Sequence, residues 1–97
     1  MRIISKKALK DYWTKVPETK SELEAWHAEA KVADWTTPPD VKAKYGNASI
    51  LKDKRVVFNV CGNKHRLIVK INYDFHLIYI RFLGTHKEYD AINAETI

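Results

Sequence analysis

The stretch that decides the fold runs from Arg55 to Gly84 and reads RVVFNVCGNKHRLIVKINYDFHLIYIRFLG. It is rich in β-branched and aromatic residues, and its apolar and polar residues alternate, which is typical of half-buried strands. Gly62-Asn63 suits a two-residue turn, and a second turn is centred on Asp74-Phe75. The pattern therefore predicts three antiparallel strands joined by two tight turns.

These turns set the strand register and assign each side chain to one face of the sheet. The first turn pairs Val60 with His65, and the second leads to a pairing of Ile68 with Arg81. One face is then apolar and carries Val56, Phe58, Val60, Leu67, Val69, Ile71, Ile78, Ile80 and Phe82. The other, here called the basic face, carries Arg55, Asn59, Lys64, Arg66, Lys70, Asn72, Tyr79 and Arg81, with Val57 and Ile68 between them. Because a slip of one residue would bury arginines and expose isoleucines, the register is strongly specified.

The residues before this stretch have the pattern of two helices that can cover the apolar face. Ser5 occupies an N-cap position, and Pro17 ends the first helix. Ser21 and Glu24 match a capping box for the second. The apolar stripes of the two helices are Ala8, Leu9, Tyr12, Trp13 and Val16, and Leu23, Trp26, Ala30 and Ala33. We therefore predict an α+β fold, with two N-terminal helices packed on one face of a small, mainly antiparallel sheet, in a single domain over residues 1–97.

Three shorter patterns flank these elements. Residues 2–4, RII, suit an edge strand. Asp40 is expected to cap a short helical turn that ends at Gly46. Thr85 and Glu88 match a capping box, which predicts a helical turn directly after the last strand.

The positive charge is concentrated in one segment. The chain has a net charge of +5, and residues 51–70 alone hold six Lys or Arg side chains against one acid. A concentrated basic patch is expected of a nucleic-acid-binding protein, although an acidic protein partner or a solvated surface explains charge alone equally well. No apolar run approaches the roughly 20 residues of a membrane span, and the polar start is unlike a secretory signal, so we expect a cytoplasmic protein without membrane contact.

The residue types on and beside the basic face suit RNA cleavage by the 2′-hydroxyl of the RNA. Arg66 and Arg81 can stabilise a phosphorane, because a guanidinium binds two phosphate oxygens at once. His86 is the candidate for proton transfer, with Tyr89 as a proton donor or positioning group. The candidate RNA-binding cations are Lys52, Lys54, Arg55, Lys64 and Lys70. The histidines lack metal-ligand spacing, so we expect neither a metal nor another cofactor.

Two segments, residues 40–51 (DVKAKYGNASIL) and residues 55–92, resemble the HigB-type toxins of bacterial type II toxin–antitoxin systems, in the RelE/ParE-like superfamily. GNKHRL, INY and IRFLGTHKEYD carry the resemblance most strongly. It implies a metal-independent endoribonuclease that cleaves translated mRNA in the ribosomal 30S A site. It also implies a HigA-type helix-turn-helix antitoxin as partner. The toxin would then contact operator DNA only through that antitoxin.

The resemblance extends to the site residues. RelE-like nucleases use basic residues on the central strands and a C-terminal aromatic or histidine, and Arg66, Arg81, His86 and Tyr89 occupy corresponding places. ParE-like relatives poison DNA gyrase instead and lack this set, so the basic face with His86 and Tyr89 favours the nuclease branch. Two alternatives stay open: a non-enzymatic toxin, and an RNA- or protein-binding module that uses the basic face.

Overall fold

The computed structural model describes all residues from Met1 to Ile97. Its strands are β1 Arg2–Ile4, β2 Ser49–Ile50, β3 Arg55–Val60, β4 His65–Asn72 and β5 Leu77–Thr85. Its helices are α1 Lys6–Lys15, α2 Lys20–Val32, α3 Pro38–Lys44 and α4 His86–Asp90, with a 3₁₀ turn at Pro17–Thr19. The α+β architecture predicted from the sequence is confirmed.

The five strands form one sheet in the order β1-β5-β4-β3-β2. The antiparallel pairing of β3, β4 and β5 is as predicted, and β1 is an edge strand that pairs with β5 in parallel. The β3–β4 register runs from Arg55 opposite Lys70 to Val60 opposite His65. Alternation and turn chemistry were therefore enough to set the register of β3 and β4.

The predicted β4–β5 register is wrong beyond Ile80. The pairing holds as far as Val69 opposite Ile80, and then a β-bulge leaves Arg81 without a partner on β4. Ile68 consequently lies opposite Phe82 instead of Arg81. A bulge inserts one extra residue in one strand, so every side chain after it changes face.

The bulge exchanges the positions of two apolar side chains. Phe82, predicted on the apolar face, lies on the basic face, where its ring stands over Gly84; a Cβ atom at Gly84 would lie 2.7 Å from Phe82 Cζ. Leu83 takes its place and packs against the core. Glycine at position 84 therefore leaves room for the Phe82 ring.

The core lies between the sheet and helices α1 and α2. Its buried members include Leu9, Trp13, Leu23, Trp26, Ala30, Val56, Phe58, Val60, Leu67, Val69, Ile71 and Ile78. Val57 and Ile68 lie on the opposite face, and both are also buried, at 2% and 0% exposure. The basic face therefore contains buried apolar side chains as well as cations.

The helix ends differ from the prediction in two places. α2 begins at Lys20, because the 3₁₀ turn leads directly into it, so the predicted capping box of Ser21 and Glu24 is wrong. Asp40 is not an N-cap but the third residue of α3, where it forms a capping box with Thr37. No helix has the length and apolar character needed to cross a membrane.

Candidate functional site

Helix α4 is fixed at the end of β5 by the predicted capping box, which is confirmed. The backbone N–H of Glu88 donates to Thr85 Oγ1 at 3.1 Å, and the backbone N–H of Thr85 donates to Glu88 Oε1 at 2.8 Å. These contacts with Thr85 lower the pKa of Glu88. The backbone N–H of His86 also donates to the carbonyl of Lys64 at 2.9 Å. The first turn of α4 is therefore attached to the start of β4.

This attachment brings three of the four predicted catalytic residues together. Arg66, on β4, places its Cζ atom 5.6 Å from the ring centroid of Tyr89. The rings of His86 and Tyr89 lie edge to face, with centroids 6.5 Å apart. The structure thus assembles a guanidinium, a phenol and an imidazole at one end of the basic face, here called the Arg66 cluster.

Arg66 is held firmly but keeps donors free. Its Nη1 donates to the carbonyls of Asn63 and His65 at 3.0 and 3.2 Å, and the residue is only 9% exposed. Its Nε and Nη2 groups have no hydrogen-bond partner in the protein. The side-chain atoms that are both fully buried and without a partner are Trp26 Nε1 and Tyr73 Oη, so neither Arg66 group is fully buried. The two remaining donor groups of Arg66 therefore reach solvent, where they can bind an anion.

His86 has an acidic partner that the sequence analysis did not assign to the site. Its Nδ1 lies 3.0 Å from Asp90 Oδ2, one helical turn further along α4, and both side chains are about half exposed. A carboxylate at Nδ1 favours the tautomer protonated there, which leaves Nε2 as the proton acceptor. The spacing of four residues between His86 and Asp90 was the signal that could have found this pair.

The fourth predicted catalytic residue, Arg81, is not part of the Arg66 cluster. Its Nε donates to the main-chain oxygen of Ile97 at 3.2 Å. Gly84 lies opposite Arg66, and Arg81 precedes Gly84 by three residues, so the two arginines are separated by roughly 10 Å along the sheet. The structure therefore divides the basic face into two regions, one at each arginine.

Arg55, predicted as an RNA-binding residue, is 5% exposed, and its guanidinium nitrogens are hydrogen-bonded within the protein. Its Nη1 donates to Asp53 Oδ2 at 2.8 Å, and its Nε and Nη2 donate to the Ile97 oxygen at 3.0 and 2.7 Å. Arg55 and Arg81 consequently share one acceptor atom. They define the second region of the basic face, here called the Arg55–Arg81 site.

Of the predicted RNA-binding lysines, Lys54 and Lys70 lie beside the Arg55–Arg81 site. Lys52, Lys54 and Lys64 are exposed, and Lys64 Nζ lies 4.0 Å from Glu18 Oε2. Lys70 is half-buried, with Nζ 3.8 Å from Asp53 Oδ2. An open cleft of about 400 Å³ is lined by Lys54, Lys70, Ile71, Asn72, Tyr79 and Arg81. Several cations are therefore available on the same face as the Arg66 cluster.

His65 lies on the opposite side of the sheet, as predicted from its position in the strand. Its Nδ1 lies 2.8 Å from the Tyr12 hydroxyl and its Nε2 lies 3.2 Å from Glu18 Oε1. The pKa of Tyr12 is raised, chiefly because its hydroxyl is partly buried. Both ring nitrogens of His65 are satisfied between the helices and the sheet, so His65 is a structural residue.

A small sheet covered by two helices on one face and lined with cations on the other is the arrangement expected of RelE-like toxins. A family model, HigB_toxin, described as the RelE-like toxic component of a toxin–antitoxin system, matches residues 19–92. The chain belongs to this HigB toxin family. The match includes β3, β4, β5 and α4, and therefore the whole Arg66 cluster.

Individual relatives agree over almost the full length. The chain is 38% identical to the mRNA interferase toxin HigB of Escherichia coli (strain K12) over 96 residues, which cover 97% of this chain and 92% of that relative. The mRNA interferase HigB of Shigella flexneri matches to the same extent. The mRNA interferase HigB of Escherichia coli O6:H1 is 29% identical over 94 residues, which cover 95% of this chain and 91% of the relative. The names of these relatives agree with the endoribonuclease class expected from the sequence.

Proposed function

We propose that this protein is a toxin that cleaves mRNA as an endoribonuclease. The observation that carries the proposal is the Arg66 cluster, in which groups suited to anion binding and proton transfer meet on the basic face. Family membership and the mRNA interferase names of the relatives support it independently.

In the proposed reaction, the 2′-oxygen of the RNA attacks the adjacent phosphorus while the bond from phosphorus to the 5′-oxygen breaks. His86 Nε2 accepts the proton of the 2′-hydroxyl, and Asp90 holds the imidazole by Nδ1. The free donors of Arg66 stabilise the charge on the phosphorane. Tyr89 donates a proton to the departing 5′-oxygen. If Tyr89 instead positions a base by stacking, water supplies that proton. The products are a 2′,3′-cyclic phosphate and a 5′-hydroxyl.

The remaining cations of the basic face bind the RNA backbone in this proposal. Lys52, Lys54, Lys64 and Lys70 have the charge that attracts phosphates and lines RNA up with the Arg66 cluster. Arg81 belongs with this group rather than with phosphorane stabilisation, because its guanidinium contacts Ile97 and not the cluster. Binding is consequently expected to weaken as salt is raised.

The finer features of the function follow from the family resemblance. We propose that residues 1–97 act as one toxin unit in the cytoplasm, without a metal, on mRNA in the 30S A site of translating ribosomes. A HigA-type helix-turn-helix antitoxin would neutralise the toxin, and operator DNA would be reached only through that antitoxin. The support is membership of a family described as the toxic component of a toxin–antitoxin system.

Expression in bacterial cells of the wild type and of His86→Gln tests the activity. We expect the wild type to arrest growth and to produce new mRNA 5′ ends, and we expect His86→Gln to do neither. His76→Gln is the matched control, because His76 is exposed at the β4–β5 turn and pairs only with Asp34, 3.6 Å away. Growth arrest without mRNA cleavage, unchanged in His86→Gln, would instead establish the non-enzymatic alternative.

Ribosome and metal dependence are tested with purified toxin. We expect cleavage of mRNA on translating ribosomes and little cleavage of the same mRNA alone. Because intact ribosomes need Mg²⁺, the metal test uses the slow cleavage of free mRNA at high toxin concentration. Cleavage that persists after toxin and RNA are treated with a chelator supports the metal-free mechanism, whereas recovery only on addition of a divalent cation contradicts it.

A further inference from the structure

The main-chain oxygen of Ile97 occupies a position on the basic face where three N–H groups converge. Two come from Arg55, at 3.0 and 2.7 Å, and one from Arg81, at 3.2 Å. An oxygen that accepts bonds from two guanidinium groups has the surroundings of a phosphate oxygen bound by arginines. The Arg55–Arg81 site therefore has the geometry of an anion site and holds part of the chain itself.

The charge around this oxygen favours an anionic occupant. Arg55, Arg81, Lys54 and Lys70 are gathered around the site, and Asp53 has the one acidic side chain that pairs with any of them. One side-chain carboxylate cannot balance four cations, and like charges held close on a sheet repel one another. A phosphodiester group would relieve this repulsion and form charge-assisted hydrogen bonds.

The segment that supplies the Ile97 oxygen is held largely by bonds within itself. The backbone N–H groups of Thr96 and Ile97 donate to the carbonyl of Asn93, at 3.2 and 3.1 Å. The N–H of Glu95 donates to the Asn93 side chain at 3.0 Å, and Asn93, Glu95 and Thr96 are exposed. The hydrogen bonds that join residues 93–97 to the sheet are those of the Ile97 oxygen. Ala94 and Ile97 are half-buried, and no hydrogen bond other than those of the Ile97 oxygen has to break for the segment to leave the sheet as a unit.

Residues 93–97 also connect the two regions of the basic face. They follow α4 directly, and Tyr89 and Asp90 line an open cleft of about 410 Å³ together with Leu51, Ile92, Asn93, Ala94 and Glu95. Removal of the segment from the sheet would open this cleft beside the Arg66 cluster. RNA bound at the cluster would then have a continuous path to the Arg55–Arg81 site.

We propose that Arg55 and Arg81 bind a phosphate of the RNA that flanks the scissile one, and that residues 93–97 occupy this subsite until RNA displaces them. The proposal rests on the proposed function, since it takes RNA as the ligand. It explains why an arginine of the basic face is buried in the free protein: its phosphate is replaced by the protein's own main chain. The segment thereby acts as a competitor of RNA within the same molecule.

Binding is measured by fluorescence anisotropy with a short labelled single-stranded RNA that is 2′-O-methylated throughout. Such RNA has no 2′-hydroxyl nucleophile, so binding is observed without cleavage. We expect deletion of residues 93–97 to tighten binding by about tenfold, because the subsite is then always available. In the deletion variant, Arg81→Gln should weaken binding and reduce the salt slope by about 1. Lys10→Gln, which removes an exposed charge from α1, is the control and should change the RNA affinity and its salt slope little.

Hydrogen–deuterium exchange on the unmodified protein provides a second measurement that does not depend on the deletion variant folding. We expect the amides of Thr96 and Ile97 to exchange faster when the methylated RNA is bound, because the segment has left the sheet. Unchanged or slower exchange at saturating RNA would overturn the proposal, and so would a folded deletion variant that binds no more tightly. Neither result depends on cleavage, whereas the His86→Gln experiment tests the nuclease activity alone.

Discussion

His65 and Arg66 are neighbours on β4, and both are almost completely buried, at 4% and 9% exposure. They nevertheless differ in what their polar atoms do. Both ring nitrogens of His65 lie within hydrogen-bond distance of Tyr12 and Glu18. Arg66 uses one nitrogen for structure and keeps two donor groups for solvent. Burial alone therefore does not show whether a side chain can bind a ligand; unused hydrogen-bonding capacity does.

The same contrast applies to the two faces of the sheet. The helix-covered face is closed by apolar packing, and substitutions there should reduce stability without altering the chemistry. The basic face has buried apolar residues at its centre. Its cations have few hydrogen-bond partners in the protein, and residues 93–97 supply one that Arg55 and Arg81 share. Substitutions there should reduce activity more than stability.

The largest effect is expected for Leu67→Ala, on the helix-covered face. Leu67 is fully buried in the core, so the loss of its side chain should lower the free energy of unfolding by about 2–5 kcal/mol. Urea unfolding measures this change. Cleavage per folded molecule should stay at the wild-type level, and a selective loss of activity in the folded variant would break the contrast between the faces.

Arg66→Ala, one residue earlier on the other face, should have the converse effect. The loss of its free donors is expected to slow mRNA cleavage by about 10²- to 10³-fold. Arg66→Lys keeps the charge but not the planar fork, so it should restore only part of the rate. Cleavage rates are compared with urea unfolding of the same variants. If Arg66→Ala unfolds as easily as Leu67→Ala and cleaves normally, Arg66 is structural.

Tyr12→Phe tests the structural assignment of His65. The substitution removes the hydroxyl that lies 2.8 Å from His65 Nδ1 and leaves that buried nitrogen without a partner. We expect a loss of about 1–3 kcal/mol in the free energy of unfolding. Activity of the folded variant should be unchanged; a large fall in cleavage at undiminished stability would instead place His65 in the reaction.

The smallest effect concerns acid stability and the capping box of α4. The pKa of Glu88 is lowered in the folded protein, chiefly by hydrogen bonding to Thr85, so its contribution to stability is present above the ordinary glutamate pKa. That contribution is lost as the pH falls through the lower pKa of the folded state. The unfolding free energies of wild type and Glu88→Gln should therefore differ at neutral pH and converge in acid. A difference independent of pH would show that the charge of Glu88 does not stabilise α4.

The sequence by itself determined the α+β fold, both tight turns, the β3–β4 register and the capping box of Thr85 and Glu88. These features depend on the alternation of apolar residues and on turn and cap residues a few positions apart, which can be read locally. The same local rules placed His65 in the core and brought Arg66, His86 and Tyr89 to one end of the sheet.

The tertiary structure alone decided the bulge at Arg81 and the burial of Arg55. In the sequence around the bulge, Phe82 and Leu83 are adjacent apolar residues, and alternation cannot say which of them faces the core. The Ile97 oxygen that Arg55 and Arg81 share comes from 42 and 16 residues further along the chain, so only the folded chain brings it to them. Local periodicity thus set the framework of the basic face, whereas long-range packing set which of its cations are already paired within the protein.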